Sequence, residues 1–202
     1  MDNNTGGVIS NTEYSGEMYK GFFKVWESNP ETGESTLLLD KQNTILFQGA
    51  DLLALALAGG ANSSITHMYL QYCNIGETPS VDAPVKADTY TDLAPTSTTG
   101  YLRVPLSFPA VYTPSAGDYT GNTVLFTVVL NGVVTNVTCN GGLGAVPGKF
   151  YSAALVASGN PGETAASHPN DKLFARITFG ATPLTYSSAN SLTITWGVRF
   201  TA

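Results

Sequence analysis

The chain has 202 residues, a length that fits one large β domain or one domain with an appended arm. Its net charge of −6 and its pI of about 4.7 argue against nucleic acid and anionic membranes as main partners, because both attract an excess of Lys and Arg. Only 12% of the residues are charged, about half of the usual fraction, which is typical of a polar but weakly charged surface.

The first segment predicts an extended arm. Residues 1–18 are polar, rich in Gly, Asn and Thr, and show no periodicity. They contain no basic stretch followed by an apolar one, so they do not resemble a secretion signal, and we expect a protein made in the cytoplasm. Cys73 and Cys139 lie outside any C-x-x-C motif. They fit two buried free thiols, and a single bridge between them stays open as the alternative.

Two strands joined by a turn follow the arm. Residues 20–28 (K-G-F-F-K-V-W-E-S) alternate around Phe23 and Val25, and residues 34–40 return as a second strand. Between them, residues 29–33 (N-P-E-T-G) carry Pro early and Gly late, the order that a tight turn prefers. The sequence therefore predicts a β-hairpin with a loop of about four or five residues.

One segment predicts a helix. Residues 48–60 (Q-G-A-D-L-L-A-L-A-L-A-G-G) consist mainly of Ala and Leu, which favour helices, and they end on a Gly pair that favours a helix stop. The segment is apolar on almost every side, so we expect a short buried helix that plugs or flanks the sheets. Its apolar run, Leu52 to Ala58, is far shorter than the roughly 20 residues that span a bilayer.

A strand and a long loop come next. Residues 64–72 (S-I-T-H-M-Y-L-Q-Y) alternate, and we expect the side that carries Met68 and Leu70 to face the core. Residues 74–100 contain three prolines and many Ser, Thr and Asp residues. A loop of this length in a compact domain usually has a function, is disordered or forms an interface.

The remainder of the chain has a β pattern throughout. We expect residues 101–111 to form an edge strand, because Pro105 and Pro109 each remove a hydrogen-bond donor. Asn131-Gly132 between two apolar stretches predicts a two-residue hairpin turn. The further predicted strands are 122–130, 133–139, 149–157, 172–179 and 191–200.

The last strand has the clearest alternation in the chain. One of its sides is uncharged and rich in Ser and Thr, and the other side carries large apolar residues. The apolar residues are Leu192, Ile194, Trp196, Val198 and Phe200. We expect this strand to be paired centrally in a sheet, with its apolar side in the core.

Together these elements predict a mainly β protein. The fold is an antiparallel β-sandwich, jelly-roll-like, or a small barrel, with one short buried helix and an extended N-terminal arm. We expect a single β domain over residues 19–202, with residues 74–100 as its long loop and residues 1–18 as the arm.

Candidate chemical sites are few. Residues 140–148 form a Gly-rich loop, but Lys149 is followed by Phe150 and a strand, so the loop does not match a phosphate-binding motif. His67 and His168 lack the spacing of a metal site, and we expect His67 to pack on a sheet face.

The acidic and aromatic residues of the loops leave alternatives open. Asp82, Asp88 and Asp92 can bind calcium only if the long loop folds around it, and a solvated loop is the other interpretation. Aromatic residues near the arm and the loops mark a protein interface, a sugar platform or ordinary core packing. These aromatic residues are Phe22, Phe23, Trp26, Tyr112, Tyr119 and Tyr151. We expect no catalytic, cofactor-binding or metal-binding residue.

Several segments form a recognisable series after the polar arm. They are N-T-I-L-F-Q-G-A-D-L-L-A-L-A-L-A-G-G, I-T-H-M-Y-L-Q-Y, Y-L-R-V-P, G-N-T-V-L-F-T, L-F-A-R-I-T-F and S-L-T-I-T-W-G-V-R-F. This series resembles virion structural proteins of tailed bacteriophages, of the capsid decoration (cement), head-fibre or tail-fibre-associated kinds. The likeness covers most of residues 40–202 and carries no catalytic residues.

The resemblance implies a β-rich virion protein that is not an enzyme, needs no cofactor and assembles in the host cytoplasm. We expect a capsid cement or decoration protein, a homotrimer that stabilises the head by bridging subunits of the major capsid protein. The arm 1–18 and the loop 74–100 are the expected clamping elements. The alternative is a tail, baseplate or fibre component that binds tail or fibre proteins and takes part in host adhesion. A glycan-active enzyme needs a close pair of carboxylates, and the sequence shows no sign of one.

Overall fold

The structure is a computed structural model that describes ten stretches of the chain. They are residues 19–61, 63–73, 83–89, 99–106, 111–113, 123–131, 148–158, 171–179, 183–187 and 189–200. The described residues form one helix, α1 (Phe47–Leu57), and ten strands. The strands are β1 (Tyr19–Ser28), β2 (Ser35–Ile45), β3 (Ile65–Cys73), β4 (Thr99–Pro105), β5 (Val111–Thr113), β6 (Thr123–Leu130), β7 (Gly148–Ala157), β8 (Lys172–Thr178), β9 (Leu184–Tyr186) and β10 (Ser191–Phe200).

The strands form one antiparallel sheet that nearly closes into a barrel. The strand order is β4-β3-β7-β8-β2-β1-β10-β6-β5, and β9 pairs with β7 beside this path. Strand β2 links two layers, since its first nine residues pair with β1 whereas Thr44 and Ile45 pair with β8. We call β5, β6, β10, β1 and the start of β2 the front layer, and β8, β7, β3, β4 and β9 the back layer. The predicted mainly β, antiparallel fold is confirmed.

The core lies between the two layers. The ring of Phe23 on β1 contacts Trp196 on β10 edge to face, with 5.0 Å between centroids, and stacks on Phe179 at the end of β8 at 5.5 Å. Met68 and Leu70 on β3 are fully buried in the same cluster, as the alternation predicts. Aromatic pairs of this kind contribute about 0.5–1.5 kcal/mol beyond the burial of their area, so the Phe23 contacts stabilise the joining of the layers.

The last strand, β10, occupies the predicted central position. It pairs with β1 on one side and with β6 on the other. Leu192, Ile194, Trp196 and Val198 are buried in the core, whereas the side chain of Phe200 lies outside the described residues. On the other side of the strand, Gly197 lies opposite Phe22, and a Cβ added at Gly197 would lie 1.8 Å from the Phe22 ring. The missing side chain therefore lets the aromatic ring lie flat on the sheet.

The first hairpin forms as predicted. The side-chain oxygen of Asn29 accepts hydrogen bonds from the backbone N–H groups of Glu31 at 2.8 Å and Thr32 at 3.3 Å. Gly33 then adopts a φ of 73°, a conformation that side chains disfavour. Strand β2 extends to Ile45, five residues further than the predicted end, because its last residues continue into the back layer.

Helix α1 packs on β8 through one side. Gly49 allows the close approach, since a Cβ there would lie 2.2 Å from the carbonyl oxygen of Phe174, and Leu52 enters the core. The helix ends as predicted, with Gly59 at a φ of 70°. The predicted burial of the helix is wrong for its outer side, where Ala54 and Leu57 are exposed, because the described chain covers only the side that meets β8. Among the described residues, no helix is both long and apolar enough to cross a bilayer.

The remaining strand predictions have mixed outcomes. Strand β4 lies at the end of the sheet, in agreement with the predicted edge position, but it ends at Pro105. The short strands β5 and β9 were not predicted as separate elements. The arm 1–18, most of the loop 74–100, the predicted turn at residues 131–132 and the predicted strand 133–139 lie wholly or largely outside the described residues.

Candidate functional site

The outer face of the back layer is buried, although an outer sheet face usually meets solvent. Tyr69, Ala154 and Val156 form a small apolar cluster there with Leu46 and Leu173. These residues alternate along β3 and β7 with the residues that face the core. Both faces of the two strands are therefore covered, as in the middle layer of a larger protein.

Four residues make a polar cluster on this face, which we call the Arg103 cluster. Arg103 on β4 lies opposite Tyr69 on β3. Its Nε donates a hydrogen bond to Oδ2 of Asp171 at 3.1 Å, and its Nη2 donates to Oγ of Ser158. The hydroxyl of Tyr69 donates to the same oxygen of Asp171. The side chains of Arg103 and Asp171 are 0% exposed, so this ion pair is fully buried.

The Arg103 cluster joins the two ends of one connection. Ser158 directly follows β7, and Asp171 directly precedes β8. The residues between them, 159–170, lie outside the described residues. A single guanidinium therefore binds the last residue before this connection and the first residue after it. Arginine suits this role because its planar fork presents several donors in fixed directions.

The hydrogen bonding continues from Ser158 to β3. The backbone N–H of Ser158 donates to Oγ1 of Thr66 at 3.3 Å, and that hydroxyl also lies 2.8 Å from Nδ1 of His67. His67 is fully buried, so its predicted packing on a sheet face is confirmed. Its neighbours on the strand ladders are Pro105 and Val156.

A second buried ion pair, the Arg176 pair, lies on the same face. Nη1 of Arg176 on β8 donates to Oδ2 of Asp88 at 2.7 Å, and both residues are buried. The backbone N–H of Val85 donates to the same oxygen at 3.1 Å. The expectation that this acidic residue belongs to a solvated loop is wrong for Asp88, because the arginine within β8 needs a counter-charge. Asp82 and Asp92 lie outside the described residues.

The segment that carries Asp88 crosses from the helix to the sheet, and we call residues 83–89 the strap. The carbonyl of Lys86 accepts a hydrogen bond of 2.8 Å from the backbone N–H of Phe47. That group is one of the helix donors that have no partner within the helix. The N-cap residue, Leu46, makes no side-chain capping bond. The strap thus caps α1 with its backbone and binds β8 with its carboxylate.

The electrostatics of the Arg103 cluster centre on Asp171. Burial raises the pKa of Asp171 from its ordinary 3.8 to about 7. The guanidinium of Arg103 and the hydroxyl of Tyr69 act in the opposite direction, since both bind the ionised carboxylate. The result is a carboxyl group with no exposed surface that exchanges its proton near neutral pH. Such a group responds to pH through the stability of the fold, because no solute can touch it directly.

The predicted aromatic candidates divide between core and surface. Phe23 and Tyr151 are buried, Phe22 is half-buried on Gly197, and Trp26 is 36% exposed. The side chains of Tyr112 and Tyr119, like His168, residues 140–148 and the side chains of both cysteines, lie outside the described residues.

Neither buried ion pair was predicted, although the sequence contains a signal for the arginines. Arg103 and Arg176 each interrupt an otherwise apolar strand, in Y-L-R-V-P and L-F-A-R-I-T-F. A charged residue in the middle of such a strand requires a partner, particularly in a chain with few charges. The identity of the partner is not visible in the sequence, because Asp171 is 68 positions from Arg103 and Asp88 is 88 positions from Arg176.

Within the described part of the chain, no group of three or more His, Cys, Asp or Glu side chains gathers in a way that could hold a metal ion. Comparisons of the chain with protein families, curated proteins and solved structures find no match.

Proposed function

We propose that the chain is a non-enzymatic structural protein of a tailed-phage virion. In this proposal it is a capsid cement or decoration protein, a homotrimer that bridges subunits of the major capsid protein after assembly in the host cytoplasm. The series of segments across residues 40–202 supports the proposal, as does the acidic net charge of −6, which disfavours nucleic acid and anionic membranes.

The exposed apolar side chains are the structural observation that supports this function most. Trp26, Leu37 and Leu38 form a hairpin patch on β1 and β2, and Trp26 lies opposite Leu37 in the ladder. A second helix surface comprises Phe47 and Leu57 of α1, which are 61% and 91% exposed, with Val85 of the strap. Several large apolar residues on two surfaces favour a protein that is covered by partners in its working state.

The placement of charge also supports a structural role. Arg103, Asp171, Arg176 and Asp88 are all buried in ion pairs within the fold. Buried pairs stabilise the chain little in net terms, but they make alternative arrangements costly because each would leave a buried charge without its partner. A cement protein needs this kind of definite shape, since it has to match neighbouring subunits at many equivalent positions.

Residues 1–18 and 74–100 are the proposed clamping elements. A polar arm that becomes ordered only on assembly offsets its entropy cost by repeated contacts along the capsid lattice. Deletion of residues 1–18 is expected to leave a folded protein that no longer binds capsids. Capsid binding that is unchanged by the deletion contradicts the clamping role.

The contact surfaces can be tested with matched surface variants. Leu57→Asp places a charge on the helix surface, and Thr185→Asp places the same charge on the exposed side of β9. Binding to capsids that lack the protein, followed by co-sedimentation, is expected to fall for Leu57→Asp and to stay unchanged for Thr185→Asp. Full binding by Leu57→Asp would show that the helix surface makes no contact in the particle, and full binding by a Trp26→Asp, Leu57→Asp double variant would count against the proposed function.

The alternative is a tail, baseplate or fibre component that takes part in host adhesion. The exposed ring of Trp26 favours it, because partly exposed aromatic rings also serve as platforms for sugars. In that case Trp26→Ser should abolish binding to host-surface glycans on an array, whereas Leu37→Ser should reduce it less. Failure of the intact protein to bind any glycan on the array leaves the cement role as the better proposal.

A further inference from the structure

The two buried arginines lie in one row of the back layer. Arg103 lies opposite Tyr69, Tyr69 opposite Ala154, and Ala154 opposite Arg176. The row crosses β4, β3, β7 and β8 on their outer face. Each arginine binds an aspartate that belongs to a connecting segment and not to a strand.

We propose that the Arg103 cluster and the Arg176 pair are two separate conformational locks on the outer face of the back layer. The first lock closes the base of the connection 159–170, and the second lock holds the strap, residues 83–89, across α1 and β8. Each lock fixes the position from which a long connection leaves the sheet.

The geometry of the first lock depends on the shape of the arginine side chain. Nε reaches Asp171 and Nη2 reaches Ser158, which lie at opposite ends of the connection. Separation of these ends would leave a guanidinium in a buried site without its acceptors, and arginine cannot lose its proton to relieve that cost. Lysine carries the same charge but lacks the planar fork, so it cannot hold both groups in the same way.

The second lock acts on a compact turn. Oδ2 of Asp88 accepts from Val85 within the strap and from Arg176 on β8, and the N–H of Asp88 donates to the carbonyl of Val85 at 3.0 Å. The strap is also bound to α1 through Lys86 and Phe47. Lifting the strap therefore breaks the ion pair and uncaps the helix at the same time.

The two locks have no hydrogen bond in common among the described residues. Tyr69 belongs to the first lock, and Ala154, which separates it from Arg176, has a side chain that cannot form a hydrogen bond. We therefore expect each lock to open without the other. A single cooperative cover over the whole face would instead open at both places together.

Limited proteolysis of the intact chain distinguishes these cases. A protease that cleaves after glutamate reports on the first lock at Glu163, and trypsin reports on the second lock at Lys86, which is exposed in the strap. The sites are identified by the masses of the fragments. Hydrogen exchange at the Ile194 amide, in the centre of β10, measures global opening in each variant.

The variants are chosen so that they weaken one lock and leave the core intact. Ser158→Ala removes one acceptor of Arg103, Arg103→Lys removes the fork, and Asp88→Asn removes the charge from the second lock. Lys24→Met serves as a control, because it breaks an ion pair of 3.5 Å with the half-exposed Asp40 on the front layer.

We expect Ser158→Ala and Arg103→Lys to speed cleavage after Glu163 by roughly fivefold and to leave cleavage after Lys86 unchanged. Asp88→Asn is expected to produce the reverse pattern, and Lys24→Met to change neither site. Equal acceleration at both sites in any of the three lock variants overturns the proposal, as does unchanged cleavage at both sites. If Arg103→Lys fails to fold, Ser158→Ala decides the first lock alone.

Discussion

The ion pair between Arg103 and Asp171 has an energetic consequence that a double-mutant cycle measures. The variants are Arg103→Met, Asp171→Asn and their combination, studied by urea unfolding at about pH 8, where Asp171 is ionised. Both side chains are 0% exposed. Each single variant leaves a buried polar or charged group without its partner, so each is expected to lower the free energy of unfolding by about 3–5 kcal/mol.

The double variant is expected to cost little more than either single variant. Removal of both charges eliminates the uncompensated charge, and the methionine fills most of the volume of the arginine side chain. The hydroxyl of Tyr69 keeps an acceptor, because the asparagine amide oxygen can take the place of Oδ2. The coupling energy between the two sites should therefore be about 2–3 kcal/mol.

A second cycle on the front layer provides the control. Lys24 and Asp40 are 3.5 Å apart, and their side chains are 13% and 50% exposed. Water screens such a pair, so its coupling energy should be only about 0.2–1 kcal/mol. If the Arg103–Asp171 coupling is no larger than that of the control pair, the two groups do not form a buried ion pair in the folded protein.

Three further predictions concern the core, the front layer and pH. Trp196→Ala should lower the free energy of unfolding by about 3–5 kcal/mol, whereas Trp196→Phe should cost much less, because Nε1 of Trp196 is buried without an acceptor among the described residues; equal costs would show that Nε1 is bonded. Gly197→Ala should cost about 1–3 kcal/mol in chemical denaturation because its Cβ would meet the Phe22 ring, and the cost should almost vanish in a Phe22→Ala background; the same cost in both backgrounds would rule out this contact. Since burial raises the pKa of Asp171 to about 7, the native state binds a proton that the unfolded state releases, so the stability difference between wild type and Asp171→Asn should fall as pH rises from about 4 to 7 and be constant above. A difference that grows with pH over that window would mean that Arg103 and Tyr69 outweigh burial.

The sequence predicts those elements of the fold whose two faces differ. In β10 the large apolar residues alternate with Thr and Gly, so the side that faces the core is evident, and Trp196 is buried as expected. The first hairpin is also visible, because Asn29 and Gly33 form the turn through local interactions. These features depend on neighbouring residues in the chain and therefore appear in any short window of the sequence.

The buried outer face of the back layer is not predictable in the same way. The alternation of Met68 and Leu70 with His67 and Tyr69 suggests one dry and one wet side, yet all four are buried. The cover comes partly from the strap, whose Asp88 is far from β8 in the sequence. The exposed outer side of α1 shows the opposite case, since its apolar composition predicts burial but the described chain leaves Leu57 uncovered. Both results depend on which distant segments meet, and periodicity carries no information about that.

The central proposal, a structural role in a virion, is tested most directly by locating the chain in purified phage particles and counting its copies. Quantitative mass spectrometry of whole particles, and of separated heads and tails, gives both quantities. The account predicts that the protein is found with the heads, in a copy number that matches the symmetry positions of the capsid lattice. Absence of the chain from purified particles would contradict the account, and a few copies found only with the tails would contradict the cement role in favour of the adhesion alternative.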